Sequence, residues 1–222
     1  MAHIMEELTT AEAALVASVT VRDVNRLYDE KMLPEELLLS SFIRENHDRY
    51  VRPWACAIIA FYFRTAEKLT TSERLKAISA TAPRVSDVFL SPHHGEYSHD
   101  WLVFSDAPLK IDLAPAVCDV KERLLRLFNA KKMVVCDPEI LSGTPVIAGT
   151  RVPVYDVAAS VEKGIEISGI LDAYPSLSPE QVELAAFYAK AVPPRGRPKK
   201  HALPKGAKIV ADRRIPRRSS AK

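Results

Sequence analysis

DPEILSGTPVIAGTRVPVYDVAASVEKG, residues 137–164, with ILDAYPSLSPEQVELAAFYA, residues 170–189, is the stretch on which the fold turns. Apolar β-branched residues flank its first part, so 134–135 and 152–154 read as short strands. Between them Pro138, Gly143, Pro145 and Gly149 punctuate the chain, and the connection reads as a series of tight turns. A helix is predicted over 155–163, with Gly164 as the residue that ends it, and a second over 166–174, stopped by Pro175. Ser178 as N-cap, Pro179 at the first helical position and Gln181 at capping-box spacing start a third helix running to Lys190. Three short helices after a strand pair predict a compact homeodomain-like core. Its last helix opens with Glu180 and Glu183, which repel phosphates, so it is not expected to read DNA.

At the other end of the chain Thr9 and Glu12 have capping-box spacing ahead of a short Ala/Leu-rich helix over 11–17. Ser18 and Val19 break it, and Thr20 caps a second helix over 21–30. Val21, Val24 and Leu27 follow at i, i+3 and i+6 and are expected to face a core, which turns Arg22, Asp23, Asn25 and Arg26 outward. Arginine and asparagine carry the donor patterns that meet base edges in a major groove. Thr20, Arg22, Asn25 and Arg26 are therefore the candidate DNA contacts of a helix-turn-helix. A solvated surface helix beside a small core is the plain alternative.

Between these ends, 49–63 is the densest apolar stretch, a core strand or a buried helix by periodicity. Thr70 and Glu73 start a helix expected to end near Ala80, before Pro83. Short strands are predicted at 88–90, 101–104 and 109–111. A helix of about fifteen residues then opens at Pro115 with the apolar stripe Val117, Val120, Leu124 and Leu127, which joins two modules or forms a dimer seam.

The segment 137–189 resembles the bacterial domain of unknown function 433 family. Members of that family are linked to antitoxins of VapB type, encoded beside toxins with a PIN-like ribonuclease fold. An N-terminal helix-turn-helix of MerR-like flavour and a basic tail after the domain are similar to the layout of the longer antitoxins. The resemblance thus implies a mainly α fold with short β elements. It has a winged helix-turn-helix-like N-terminal module (6–112), a connecting helix (113–130), a three-helix homeodomain-like module with a small strand pair (131–192) and an extended basic tail (193–222). It also implies an antitoxin with two partners, a cognate PIN-like ribonuclease and operator DNA, and a homodimer or toxin–antitoxin hetero-oligomer as the assembly.

The charge distribution fits a tail with an acidic partner. Residues 193–222 hold eleven of the chain's 31 Lys/Arg and one of its 28 acids, a net +10, against a whole-chain net of +3; the remainder is −7. The segment PPRGRP at 193–198 contains the RGRP core of an AT-hook, whose glycine lets arginines lie deep in a narrow minor groove, making Arg195 and Arg197 candidate DNA contacts. Under the antitoxin resemblance, Arg213, Arg214, Arg217 and Arg218 instead enter a toxin's metal-binding carboxylates. Arginine's planar fork meets carboxylates in pairs, and Ile209, Val210 and Ile215 would be the apolar anchors.

Composition bounds the rest. Hydrophobic residues at 47% and charged residues at 27% describe a globular chain. Cys56, Cys118 and Cys136 fit no disulfide or metal framework and suit reduced thiols in a cytoplasm. The first residues lack a signal-peptide layout, and the most apolar run, 55–63, is too short to span a bilayer, so a cytoplasmic protein is expected. The His93–Asp100 loop matches no metal-binding spacing and reads as solvated. Gly143-Thr144 and Gly149-Thr150-Arg151 read as turn chemistry with a structural arginine rather than an anion cradle. Without a phosphate loop, a nucleophile elbow or a carboxylate pair in one cleft, no enzyme, cofactor or metal is expected. A stand-alone regulator with the RGRP segment in the minor groove is the competing reading.

Overall fold

The computed structural model describes residues 6–45, 48–90, 102–104 and 110–194. The His93–Asp100 loop and the whole tail from Arg195, with Arg197, Ile209, Val210, Arg213, Arg214, Ile215, Arg217 and Arg218, lie outside the described residues. The architecture is mainly helical with small antiparallel sheets. In order it runs β1 (Leu8–Thr9), α1 (Thr10–Ala17), α2 (Val21–Asp29), α3 (Glu35–Ser41), β2 (Phe42–Glu45), β3 (Asp48–Val51), α4 (Ala55–Arg64) and α5 (Thr71–Leu90). There follow β4 (Leu102–Phe104), β5 (Lys110–Asp112), α6 (Ala114–Met133), β6 (Val134–Val135), β7 (Val146–Ile147), α7 (Val154–Glu162), α8 (Ile167–Ala173) and α9 (Pro179–Ala191).

The first core is organised around α4. Eight consecutive residues, Ala55 to Tyr62, are buried, so this helix is apolar all round and its neighbours wrap it. The ambiguous stretch 49–63 thus divides: β3 takes its start, and α4 takes its apolar run. Val16 of α1, Val24 and Leu27 of α2, Ile78 and Val85 of α5, and Val117 and Val120 of α6 complete this core. The α6 stripe Val117, Val120, Leu124 and Leu127 is buried within the chain, which leaves it no part in a dimer seam. A second core under β6, β7 and α7–α9 holds Ala130, Ile147, Val154, Val157, Ile170, Val182 and Ala185.

Several predicted elements shift. The helix from Thr70 does not stop before Pro83 but continues as α5 to Leu90, so 88–90 is helix rather than strand. Pro83 is exposed, which lets its ring and the carbonyl it deprives face water, while Ala77, Ile78, Thr81, Ala82 and Val85 keep a continuous buried face. β6 pairs with 146–147, in register Val134↔Ile147 and Val135↔Val146, rather than with 152–154; Val154 already opens α7. Val21 is 42% exposed instead of facing the core, because steps of three fall short of a helical turn and rotate it away from Leu27. Gly164 at φ +77 ends α7 as expected, with the Gly164 N–H donating to the Val161 carbonyl at 2.9 Å and the Ile165 N–H to Ser160 at 3.1 Å.

The two cores meet along α6 and α9. Ala191 of α9 is buried in the first core, and Phe187 and Val192 pack against both. The Tyr155 hydroxyl donates to the Val192 carbonyl at 2.9 Å, tying α7 to the chain just after α9. Lys131 of α6 meets the Glu12 carboxylate of α1 at 2.7 Å; the Glu12 side chain is 4% exposed. Removing the negative partner strands a cation in a half-buried junction. Glu12→Gln is therefore expected to cost roughly 1–3 kcal/mol in urea unfolding. A variant as stable as the parent would show that apolar contacts alone hold the junction.

Candidate nucleic-acid interface

α1 and α2 are each opened by a reciprocal capping box. The Glu12 amide donates to the Thr9 hydroxyl at 3.3 Å while Glu12 accepts from the Thr9 amide at 2.8 Å. Asp23 and Thr20 repeat the exchange at 3.1 Å in both directions. The Thr20 hydroxyl also donates to Asp23 at 2.6 Å and holds that carboxyl below its ordinary range. Between the helices Ser18 takes a left-handed conformation, φ 58, and the Val19 N–H donates back to Ala14 at 3.0 Å, which closes the turn in two residues.

β2 and β3 form a hairpin in register Phe42↔Val51, Ile43↔Tyr50, Arg44↔Arg49 and Glu45↔Asp48, with β1 on the other edge of β3. One side chain joins this hairpin to α2. Arg49 of β3 donates through Nη1 to the Asn25 side-chain oxygen at 3.2 Å and to its carbonyl at 3.4 Å, and through Nη2 to Asp29 at 2.7 Å. Its guanidinium lies 4.1 Å from the Tyr28 ring centre, and the Phe42 ring of β2 meets Tyr28 at a tilt of 55° with centres 5.1 Å apart. The planar fork thus grips three residues of one helix, an arrangement a lysine cannot reproduce.

This geometry separates the sequence-predicted contacts. Arg22 is exposed on α2 and makes no ion pair among the described residues. Arg26 is exposed beside it, its Nε donating to both Glu30 oxygens at 3.0 and 3.1 Å. Asn25 does not face outward freely: it is half-buried and its oxygen is taken by Arg49, because the hairpin stands against that side of the helix. Thr20 is occupied in the cap. The outer face of α2 therefore offers two arginines, flanked by Asp29 and Glu30. Arg49 and the hairpin were missed in the sequence; the signal was present as FIRE and DRYV on either side of Asn46-His47.

In the second module Arg151 is exposed and makes no hydrogen bond among the described residues, so it does not play the structural role expected of it. Gly143 at φ +81 and Gly149 at φ +76 do serve turns, the second closed by the Thr150 hydroxyl donating to Ile147 at 2.8 Å. Burial pushes the Tyr188 hydroxyl up to about 12, with the nearby Tyr155 adding to the shift. The three cysteines carry free thiols, and burial raises that of Cys56 well above its ordinary range. Among the described residues no three His, Cys, Asp or Glu side chains converge as a metal site, and no helix is long and apolar enough to cross a membrane.

Comparison with known proteins places the chain. It is 45% identical over 219 residues to the uncharacterized protein y4eO of Sinorhizobium fredii (strain NBRC 101917 / NGR234), an alignment spanning 98% of this chain and 96% of that one. The chain belongs to the y4eO family. Residues 134–189, from β6 through most of α9, match the family model described as "Protein of unknown function (DUF433)". The resemblance of the second module to the DUF433 family is thus met over the expected segment. Among solved structures, the X-ray crystal structure of Rv2018 from Mycobacterium tuberculosis is 18% identical, covering 80% of this chain and 95% of that one at a TM-score of 0.31.

Two measurements test the interface geometry of this y4eO-family chain. Arg49→Met is expected to cost roughly 1–2 kcal/mol in urea unfolding, with Arg49→Lys restoring less than half of that. Equal stability of all three chains would show that the grip on α2 is idle. Asp23 and Glu73 both titrate below their usual values of 3.8 and 4.5, held by hydrogen bonds from Thr20 and Thr70. Their caps are at full strength above those usual values and weaken as pH falls through the lowered ones. The thermal midpoint is therefore expected to decline below about pH 4, less steeply in Asp23→Asn; an unchanged slope in that variant would remove Asp23 from the acid response.

Proposed function

We propose that this chain is a DNA-binding antitoxin that represses its own operon and neutralises a PIN-like ribonuclease through its basic tail. On this reading α1 and α2 with the β2–β3 hairpin act as a winged helix-turn-helix of MerR-like kind, and the DUF433 module acts as a homeodomain-like scaffold from which the tail departs. The observation that carries the DNA half is the Arg49 grip, which fixes the hairpin against α2 while Arg22 and Arg26 stay on its outer face. Arg26 then exchanges Glu30 for phosphate or a base edge on binding, at little cost because exposed i,i+4 pairs contribute only about 0.3–0.5 kcal/mol.

The toxin half rests on the tail's composition and on the family resemblance. Arg213, Arg214, Arg217 and Arg218 meet the nuclease's metal-binding carboxylates, with Ile209, Val210 and Ile215 seated beside them. The cell compartment is the cytoplasm and the assembly a homodimer or a toxin–antitoxin hetero-oligomer, since two-fold symmetry suits paired half-sites. RGRP at 195–198 supports a second reading, a stand-alone regulator with Arg195 and Arg197 in a minor groove.

The test is co-expression with the adjacent small open reading frame, followed by size-exclusion chromatography and a ribonuclease assay. A co-eluting, nuclease-silent pair is expected, with nuclease activity returning when 193–222 is deleted. A chain that elutes alone and holds A/T-rich duplex through its tail would replace the antitoxin reading with the regulator. In the DNA half, Arg22→Ala with Arg26→Ala is expected to weaken binding of the chain's own upstream duplex at least tenfold. Unchanged affinity would move DNA contact away from α2.

A further inference from the structure

The DUF433 module carries an exposed corner that nothing in its own core explains. Residues 162–169, Glu-Lys-Gly-Ile-Glu-Ile-Ser-Gly, are all exposed, between the end of α7 and the first turn of α8. Ile165 is 46% and Ile167 36% exposed, whereas Ile147, Val154, Val157 and Ile170 of the same module are buried. The Ile165 Cγ2 stands 3.5 Å from where a Cβ on Gly169 would sit. Glu162 and Glu166 flank the two isoleucines, with exposed Asp172 further along α8 and Lys163 as the one base. Over 134–194 the module holds eight acids and three bases. Two aliphatic side chains framed by carboxylates call for a segment in which aliphatics alternate with cations.

One such segment is tethered to this same module. Residues 208–218, Lys-Ile-Val-Ala-Asp-Arg-Arg-Ile-Pro-Arg-Arg, place Ile209, Val210 and Ile215 among five bases and one acid. Val192 and Ala191 anchor the chain in the junction between the cores, and the tail starts from there. The fifteen residues from Arg195 to Ile209 span up to about 50 Å when extended. A random coil of that length has an end-to-end distance of about 20 Å, comparable with the diameter of a sixty-residue module. Such a tether holds the segment at an effective concentration on the order of millimolar. The occupant with matching charge, aliphatic side chains of its own and sufficient reach is therefore the chain's own tail.

We infer that residues 208–218 dock on the Ile165–Ile167 corner of the same chain, with arginines on Glu162, Glu166 and Asp172, and that an external polyanion or acidic protein must displace them. The docked state withholds four of the tail's ten net charges from indiscriminate contact with nucleic acid, and it makes partner binding by the tail a competition rather than a simple addition. The inference does not depend on which external partner the tail serves, so it stands or falls separately from the antitoxin reading.

Limited trypsin digestion of the full chain, followed by intact mass, tests this, with the synthetic peptide 195–222 as the reference for an undocked tail. Cleavage within 208–218 is expected to be at least tenfold slower in the full chain than in the peptide at low salt. That protection should largely vanish in 1 M NaCl, where the peptide's rate supplies the control, because the Debye length shrinks to about 3 Å. Glu162→Lys with Glu166→Lys, and separately Ile165→Ser with Ile167→Ser, should each accelerate cleavage at low salt; all four positions are exposed, so both variants keep the fold. Cleavage of the parent at the peptide's rate overturns the proposal, as does protection that survives both double variants, which puts the tail on another face. Protection that falls on dilution assigns the corner to the tail of a second copy and overturns the intrachain form.

Discussion

A single carboxylate does two jobs in this chain, and the relation of its halves depends on both. Glu12 closes the N-terminus of α1 by accepting from the Thr9 amide and hydroxyl, and its other oxygen meets Lys131 near the end of α6. A buried charge is tolerable only when its lone pairs are met, and here backbone, hydroxyl and ammonium meet them together. The first helix of the N-terminal unit is thereby set against the helix that leads into the DUF433 module. Phe187, Ala191 and Val192 of the α9 region then pack into the same junction. The two cores are neighbours sharing helices rather than beads on a linker.

Within the N-terminal unit the same logic recurs with the signs reversed. Arg49 is a cation 15% exposed in its side chain, made tolerable by Asp29, by the oxygens of Asn25 and by the face of Tyr28. It commits Asn25 to structure and leaves Arg22 and Arg26 for whatever α2 meets. Residue type alone treats these three side chains as equivalent donors. Their difference comes from the hairpin, a partner that lies more than twenty residues further along the chain.

The second module shows how far local chemistry carries. Gly164, the Ser178–Gln181 box and Pro179 end and start helices within a residue or two of where their types require, since each acts through bonds to backbone no more than five residues away. The strand partner of 134–135 was another matter. Both 146–147 and 152–154 are apolar and carry β-branched residues, but 146–147 lies between the two others, pairing with 134–135 on one side and bridging to Val152 and Pro153 on the other. Pro83 misled for a similar reason: it is a breaker by local rule, yet the buried face from Ala77 to Val85 carries α5 through it.

The sequence by itself determined the helix caps, the apolar stripe of α6, the DUF433 segment and the separation of charge between body and tail. The caps, the stripe and the charge separation follow from residue type and spacing, which act over a few bonds or over whole-segment composition, and the DUF433 segment from its family resemblance. The tertiary structure alone decided that α4 is wrapped on every side, that Arg49 draws Asn25 inward, and that Glu12 finds Lys131. Those outcomes depend on which distant surfaces meet. Burial and pairing energies set them, and no window of neighbouring residues contains both partners.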